Sequence, residues 1–378
     1  MQQIGMLDLK GEYAIFEADV RRAIDAVLES QQFINGPQVR DLETRIAELV
    51  GTNHAVAVGT GTDAILVALM AIGVSAGDEV ITTPFTFFAT AGCVHRCGAK
   101  AVFADIEPDT FNIDPADIEK RITPRTRAIL PVHLFGQCAD VDAIGEIARR
   151  HGLPVIEDAA QAIGASWNGR KAGSLGLAGC FSFYPTKNLG GFGEGGMITT
   201  NDAAFAEKCR QLRNHGETSR YHHRFVGGNF RLDTIKAAIL LAKLGKLDEM
   251  NARRHTNARR YDERLGSVPG VQTPVIRSQN HSCYHQYSIL CDRRDDLQAH
   301  LAEQGIGSGI YYPVPLHLQG CFADWEYRTG DCPVAEGCAK RILSLPVHPM
   351  LRPEDVDRVA GAVADFAGQP ASSGAAAG

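Results

Sequence analysis

HAVAVGTGTDAILVALMAIGVSAGDEVITTPFTFFATAGCVHRCGAKAVFAD, residues 54–105, reads as strand, helix, strand, helix, strand. The apolar runs HAVAV (54–58), EVITT (79–83) and AKAVFAD (99–105) have strand length. Between them, TDAILVALMAIG and TFFATAGCVHRCG carry helical patterns. The alternation continues outward. DPADIEKRI (114–122) predicts a helix capped by Asp114, with Pro115 in its first turn. RAILPVH (127–133), the helical DVDAIGEIARRHG (140–152) and LPVIED (153–158) follow. Runs apolar on both faces and separated by helices predict an α/β fold, a mostly parallel sheet covered on both sides. CFSFY (180–184) and GGMITT (195–200) are too close for a crossover helix, so a hairpin or mixed-sheet pairing is expected there.

Residues 12–50 predict two helices flanking FINGP, an N-terminal arm packed on the main body. From about Leu240 the pattern changes. A long charged helix, LGKLDEMNARRHTNARRYDERL, leads into a region with HQYSILC, DDLQAHLAEQG and EDVDRVAGAVADF. The expected division is a large domain with its arm over 1–240 and a smaller α+β domain over 241–367. The small, polar GQPASSGAAAG (368–378) is expected to be disordered.

The chain has 378 residues, 44% hydrophobic and 22% charged, with a formal net charge of −6. That balance argues against a general nucleic-acid binder or a membrane-surface protein, which need a basic face. The uncharged runs Ala64–Gly77 and Val80–Val94 are shorter than a membrane span. MQQIGMLDLKGEY lacks the basic-then-apolar order of a signal peptide, so a cytoplasmic protein is expected. The ten cysteines are scattered without a CxxC pair, which predicts reduced thiols and no metal site.

Three segments carry candidate chemistry. VAVGTGTDAIL (56–66) is a strand, a Gly/Thr turn and an apolar helix, whose free N-terminal amides and Thr hydroxyls suit an anion. It matches neither GxGxxG nor a P-loop. LPVIEDAAQAIGA (153–165) sets Asp158 at the carboxyl end of a buried strand, where open α/β sheets bind ligands. Taken alone, Asp158 reads equally as a helix cap. CFSFYPTKNLGGFGEGGM (180–197) holds Lys187 between an aromatic strand and five glycines. A lysine beside buried aromatics has a depressed pKa and can form a Schiff base. A phosphate site, a carboxylate for a pyridinium nitrogen and a Schiff-base lysine together are what pyridoxal 5'-phosphate requires.

With these motifs in hand, the sequence resembles the DegT/DnrJ/EryC1/StrS sugar-nucleotide aminotransferases. GTGTDA, PFTFFATA, EDAAQAIGA, FSFYPTKNLG, GGNFRLDTIKAAIL and YYPVPLHLQ stand in that family's order across residues 5–365. The resemblance implies the fold-type-I pyridoxal-phosphate architecture. It implies Lys187 as the lysine that holds the cofactor and shuttles the proton, and Asp158 as partner of the pyridine nitrogen. Gln161 would lie near the ring's phenolic oxygen and Phe87 would stack on the ring. Thr62 and Asp63 would offer backbone amides to the phosphate, and Ser182 a hydroxyl. The acidic Asp63 departs from the family's frequent Ala, and its side chain is expected to point away. Asn229 would reach the cofactor of a neighbouring subunit, which implies a homodimer with shared sites.

By the same resemblance the amino donor is L-glutamate and the acceptor a nucleoside-diphosphate keto-sugar. RYHHRFVGGNFRLDT (220–234) looks like the branch acting on 3-keto sugars, such as UDP-2-acetamido-3-keto-glucuronate. Arg231 would meet the sugar carboxylate, with Tyr312 and His317 as further substrate residues. Rival readings are a 4-keto-6-deoxy sugar as acceptor, a dehydrase and a non-enzymatic regulator. Dehydrases of the family carry His at the position of Lys187, and a regulator has no need of Asp158, Gln161, Ser182 and Lys187 together.

Overall fold

The computed structural model describes residues 3–368. The tail expected over 368–378 lies, beyond Gly368, outside the described residues. Among the described residues, seven strands build the main sheet. Numbered along the chain, they are β1 (His54–Val58), β2 (Glu79–Thr82), β3 (Lys100–Phe103), β4 (Thr126–Leu130), β5 (Ile156–Asp158), β6 (Ala178–Ser182) and β7 (Gly196–Thr200). The order is β1-β7-β6-β5, then β4-β2-β3. Parallel bridges Ile129–Val155 and Val132–Asp158 join the two halves.

β7 runs antiparallel to both its neighbours, from Ala178–Thr200 to Ser182–Gly196 on one side and from His54–Thr200 to Val58–Gly196 on the other. The mixed pairing follows from the short link between β6 and β7, which cannot hold a crossover helix. β2 pairs in parallel with β3 and β4, and β5 with β6. Asp114 caps its helix as expected, accepting the Ala116 N–H at 2.8 Å with Pro115 in the first turn.

Helices cover both faces. On one side the helix Gly61–Ala71 packs Ile65 and Leu69 against Val56, Phe103 and Ile198. Leu69 is fully buried, so cutting it to Ala would cost about 2–5 kcal/mol. On the other side the helices Pro37–Val50 and Thr234–Leu244 bury Leu42, Ile46 and Leu240 against Ala57 and Phe183. The arm helix Leu9–Ser30 lays Phe16 and Val20 against Ile239 and Met250.

The helix Thr234–Leu244 runs through the expected division at 240/241, and the charged helix spans Leu247–Leu265. That second helix joins Arg294–Glu303 and Pro353–Ala367 over an antiparallel sheet of Val271–Gln272, Tyr287–Cys291 and Ile342–Leu345. Its core is Tyr261, Tyr287, Leu297, Leu343 and Val356.

Candidate active site

Four loops leave the main sheet at one edge, because the strands that feed them point the same way. After β1 comes the turn Gly59–Thr60 and the helix Gly61–Ala71. Thr60 Oγ1 accepts the Asp63 N–H at 2.8 Å, so the Asp63 amide expected at the phosphate is engaged as a helix cap instead. Among the described residues, the amides of Gly61 and Thr62 have no protein acceptor. Asp63 folds back over Gly59, where an added β-carbon would sit 2.8 Å from its Oδ2. Burial pushes this carboxyl up, against its hydrogen bonds with Thr60. Ser182, at the end of β6, closes on the helix start: a β-carbon on Gly61 would lie 2.6 Å from that of Ser182.

Asp158 ends β5 at 4% exposure. Its Oδ2 accepts the Thr90 hydroxyl at 2.7 Å and its Oδ1 the Ala160 N–H at 3.2 Å. The cap reading is therefore realised, but only on one oxygen. Burial raises the carboxyl's proton affinity, with Thr90, Ala160 and Lys187 opposing. The strand end is clamped by its neighbour. Glu157 accepts the amides of Gly173, Leu175 and Gly176 at 2.6–2.8 Å and pairs with His133 Nε2 at 2.9 Å. The His133 N–H then donates to the Asp158 carbonyl at 3.0 Å.

Lys187 follows β6 in a turn closed by its own N–H on the Tyr184 carbonyl at 2.8 Å. Gly190 makes that turn possible, since a β-carbon there would lie 2.2 Å from the Pro185 carbonyl oxygen. Desolvation pushes the Lys187 ammonium down to about 8, against the pull of Asp158. The next residue, Asn188, holds His285: Nδ1 of the ring lies 3.1 Å from Asn188 Oδ1. Asn188 Nδ2 donates to Asn251 and to the Cys283 carbonyl, so its oxygen accepts and the His285 Nδ1 carries the proton. Burial, with Lys187 and Arg254 nearby, keeps His285 well below the usual histidine range.

Gln161 and Tyr312 complete the edge. Gln161 Oε1 accepts the Phe135 N–H at 2.7 Å, and its Nε2 donates to the Tyr312 hydroxyl at 3.2 Å. The Tyr312 ring lies 6.4 Å from that of Phe87, which is 59% exposed. Its neighbour Phe88 instead stacks on Phe322 at 5.5 Å.

The segment of Asn229 and Arg231 borders the same turn, because the Gly59 N–H donates to the Phe230 carbonyl at 2.8 Å. Asn229 is exposed, and Arg231 donates to Asn214 Oδ1. His317 is not brought to the edge. It is 3% exposed, its Nε2 is 3.0 Å from Glu336 Oε1, and its ring packs near Phe103 and Tyr327. A ring so enclosed presents no surface to a sugar. Thr90, Glu157 and His285 were not singled out by the sequence reading. Thr90 and Glu157 stand inside the quoted motifs, but only the folded chain shows what they touch.

The donor set suits pyridoxal phosphate: a lysine with a low pKa, a buried carboxylate, free helix amides beside a hydroxyl, and an uncovered aromatic face. A model of the DegT/DnrJ/EryC1/StrS aminotransferase family matches residues 15–364. The chain is 50% identical to the pleiotropic regulatory protein of Geobacillus stearothermophilus, over 96% of this chain and 98% of that one. It is 46% identical to the UDP-2-acetamido-2-deoxy-3-oxo-D-glucuronate aminotransferase of Pseudomonas aeruginosa, over 92% and 96%. Among solved structures, S. venezuelae DesV in complex with a ketimine intermediate superposes with a TM-score of 0.96 at 42% identity, covering 98% of this chain and all of that one.

Proposed function

The chain belongs to the DegT/DnrJ/EryC1/StrS aminotransferase family, and from that premise we propose a pyridoxal-phosphate-dependent transfer of the amino group of L-glutamate to a keto-sugar nucleotide. The observation that carries this reading is Lys187, desolvated beside the buried Asp158, on the loop after the strand whose end, Ser182, meets a helix start with free amides. When bound, pyridoxal phosphate supplies a carbon that accepts and returns the amino group, and a ring that takes up the electron pair left on the donor. The Gly61 and Thr62 amides and the Ser182 hydroxyl are suited to hold its phosphate. Phe87 offers the ring a flat apolar face. Asp158, held by Thr90 and Ala160, keeps a proton on the ring nitrogen.

Lys187 is the base. With its pKa near 8, about a tenth of it is neutral at pH 7, and an amine poised there can take the α-proton and return it. Gln161 and Tyr312 form a hydrogen-bonded pair placed to orient the ring's oxygen edge. His317 serves through Glu336 to hold the 311–319 loop.

For the acceptor we favour a 3-keto sugar, in particular UDP-2-acetamido-3-keto-glucuronate, with Arg231 toward its carboxylate. The relative from P. aeruginosa supports this choice. The route served is then amino-sugar and polysaccharide biosynthesis. We take the enzyme to be a homodimer, large domain and smaller C-terminal domain in each protomer. A cytoplasmic location is supported by ten unpaired cysteines. Among the described residues no helix is long and apolar enough to cross a membrane.

A regulatory role is raised by the name of the 50% identical relative. One experiment separates the readings. The holoenzyme is incubated with L-glutamate and a panel of 3-keto and 4-keto sugar nucleotides, and products are read by mass spectrometry. Amination of the 3-keto uronate is expected to be fastest. Faster amination of a 4-keto-6-deoxy sugar would move the substrate, and no cofactor absorbance with no product would leave the regulator.

A further inference from the structure

Lys243 is buried, 6% exposed, near the end of the helix Thr234–Leu244. A buried ammonium is costly unless it is both paired and hydrogen-bonded. Lys243 is both. Its Nζ meets Glu12 Oε1 at 2.8 Å and donates to the Gly190 carbonyl at 2.6 Å. It also lies over two aromatic rings, 5.5 Å from the centre of Phe16 and 5.8 Å from that of Phe192. Glu12 and Phe16 belong to the arm helix, Gly190 and Phe192 to the loop after β6. Tyr13 of the arm adds an edge contact to Phe192, with ring centres 5.7 Å apart. One buried cation therefore fastens three segments that are distant in the chain.

The loop so fastened carries Lys187. Gly190 packs on its backbone: a β-carbon there would stand 3.1 Å from the Lys187 carbonyl oxygen as well as against Pro185. On the side of β6 the turn closes on itself. The Lys187 N–H donates to the Tyr184 carbonyl and the Gly191 N–H to the Phe183 carbonyl, both at 2.8 Å. The Gly190 carbonyl points the other way, and no backbone N–H among the described residues donates to it. Lys243 holds that side.

We propose that Lys243 is a positioning residue for Lys187: braced by Glu12 of the arm helix, it fixes the far side of the catalytic turn and so keeps the Lys187 amine in one place and away from water. The proposal rests on the reading of Lys187 as the reacting amine. Lys243 acts through Gly190 and not on the reacting atoms. Placement matters because a misfit of about 1 Å can cost a factor of roughly 10² in rate. Exclusion of water matters because desolvation is what lowers the proton affinity of Lys187, and a loosened turn would undo it. Asp158, Cys283 and His285 are the titratable groups that face Lys187, and all three stay in place in the variants below.

The test follows capture of pyridoxal phosphate by the full-length apoprotein as a function of pH. Wild type should show a midpoint near 8. In Lys243→Met the midpoint should rise by about one pH unit, toward the ordinary lysine range. Glu12→Gln should move it the same way. Loss of the negative charge of Glu12 would by itself move the midpoint down, so a rise in this variant reports the turn and not the charge. In the loaded Lys243→Met enzyme, single turnover with L-glutamate should slow about tenfold or more while half-saturation changes little. Leu297→Ala, a cut in the core of the smaller domain, controls for lost stability and should keep the wild-type midpoint. A midpoint unmoved in Lys243→Met, or moved as far in Leu297→Ala, would overturn the assignment. Should Lys243→Met not fold, Glu12→Gln decides: a rise supports the proposal, and no shift or a fall defeats it. A borohydride-stable adduct on another lysine of the wild type would instead overturn the reading of Lys187, before any variant is made.

Discussion

Lys187 and Asp158 carry opposite charges, and burial shifts each toward its neutral form, the ammonium downward and the carboxyl upward. For Lys187, desolvation outweighs the attraction of Asp158, and the ammonium falls to about 8. Capture of pyridoxal phosphate by the apoprotein requires the neutral amine. Its rate should therefore climb as pH rises through about 8 and level off above. A flat profile would mean that another amine reacts. Lys187→Ala should abolish turnover, and borohydride should no longer fix the cofactor to the chain. A borohydride-stable adduct on a different lysine would remove Lys187 from its role.

Asp158 makes the opposite bargain between stability and chemistry. Its folded pKa lies above the unfolded value, so its contribution to stability is lost as pH rises through the folded pKa, and at neutral pH the buried carboxylate destabilises the apoprotein. Asp158→Asn should raise the melting temperature of the apoprotein near pH 7, while both half-reactions slow severely because an amide cannot keep the ring nitrogen protonated. Near-normal kcat would reduce Asp158 to a cap for Ala160. Equal melting temperatures would place the burial cost elsewhere.

At the scale of elements, the helix Gly61–Ala71 and the end of β6 meet with no room to spare. A β-carbon on Gly61 would stand 2.6 Å from that of Ser182, so Gly61→Ala must push the helix start off the strand. Overpacking of this kind costs about 1–3 kcal/mol. It should also spread the free amides away from the Ser182 hydroxyl. The expected result is a lower melting temperature and a cofactor that dialyses away faster than from wild type. Unchanged retention would show that the phosphate does not sit at this turn. The elements themselves were legible in the chain. HAVAV, EVITT and AKAVFAD become β1, β2 and β3, and Asp114 and Pro115 open their helix as capping rules require. The antiparallel sense of β7 followed from the length of its link to β6. Thr90 could not be read this way, because its hydroxyl serves a carboxylate 68 residues away.

At the scale of the whole molecule, residues 217–223 form a short hairpin, with Tyr221 78% exposed, and Val226 beyond it is 91% exposed. Apolar side chains set out in this way suit a second copy of the chain, and Asn229 follows directly. In a homodimer with shared sites, inactive Lys187→Ala mixed with a strongly impaired Asn229→Ala should regain activity when subunits exchange. One hybrid site then carries both defects and the other carries neither. A fully active monomer, or mixtures with no recovery after proven exchange, would count against sharing.

The amino-acid sequence by itself determined the α/β alternation, the order of its elements, and the lysine, carboxylate and helix start from which a cofactor is expected. These are local: strand period, capping residues and motif spacing are written within a few residues of one another. The tertiary structure decided the rest. It put Thr90 on Asp158, tied Gln161 to Tyr312 and buried His317 on Glu336, away from the edge where substrate was expected. It also left Arg254 buried with no ion-pair carboxylate among the described residues. The physical reason is that burial and partner choice depend on which distant segments pack together, and desolvation, which sets the proton affinities of Lys187 and Asp158, exists only once they have.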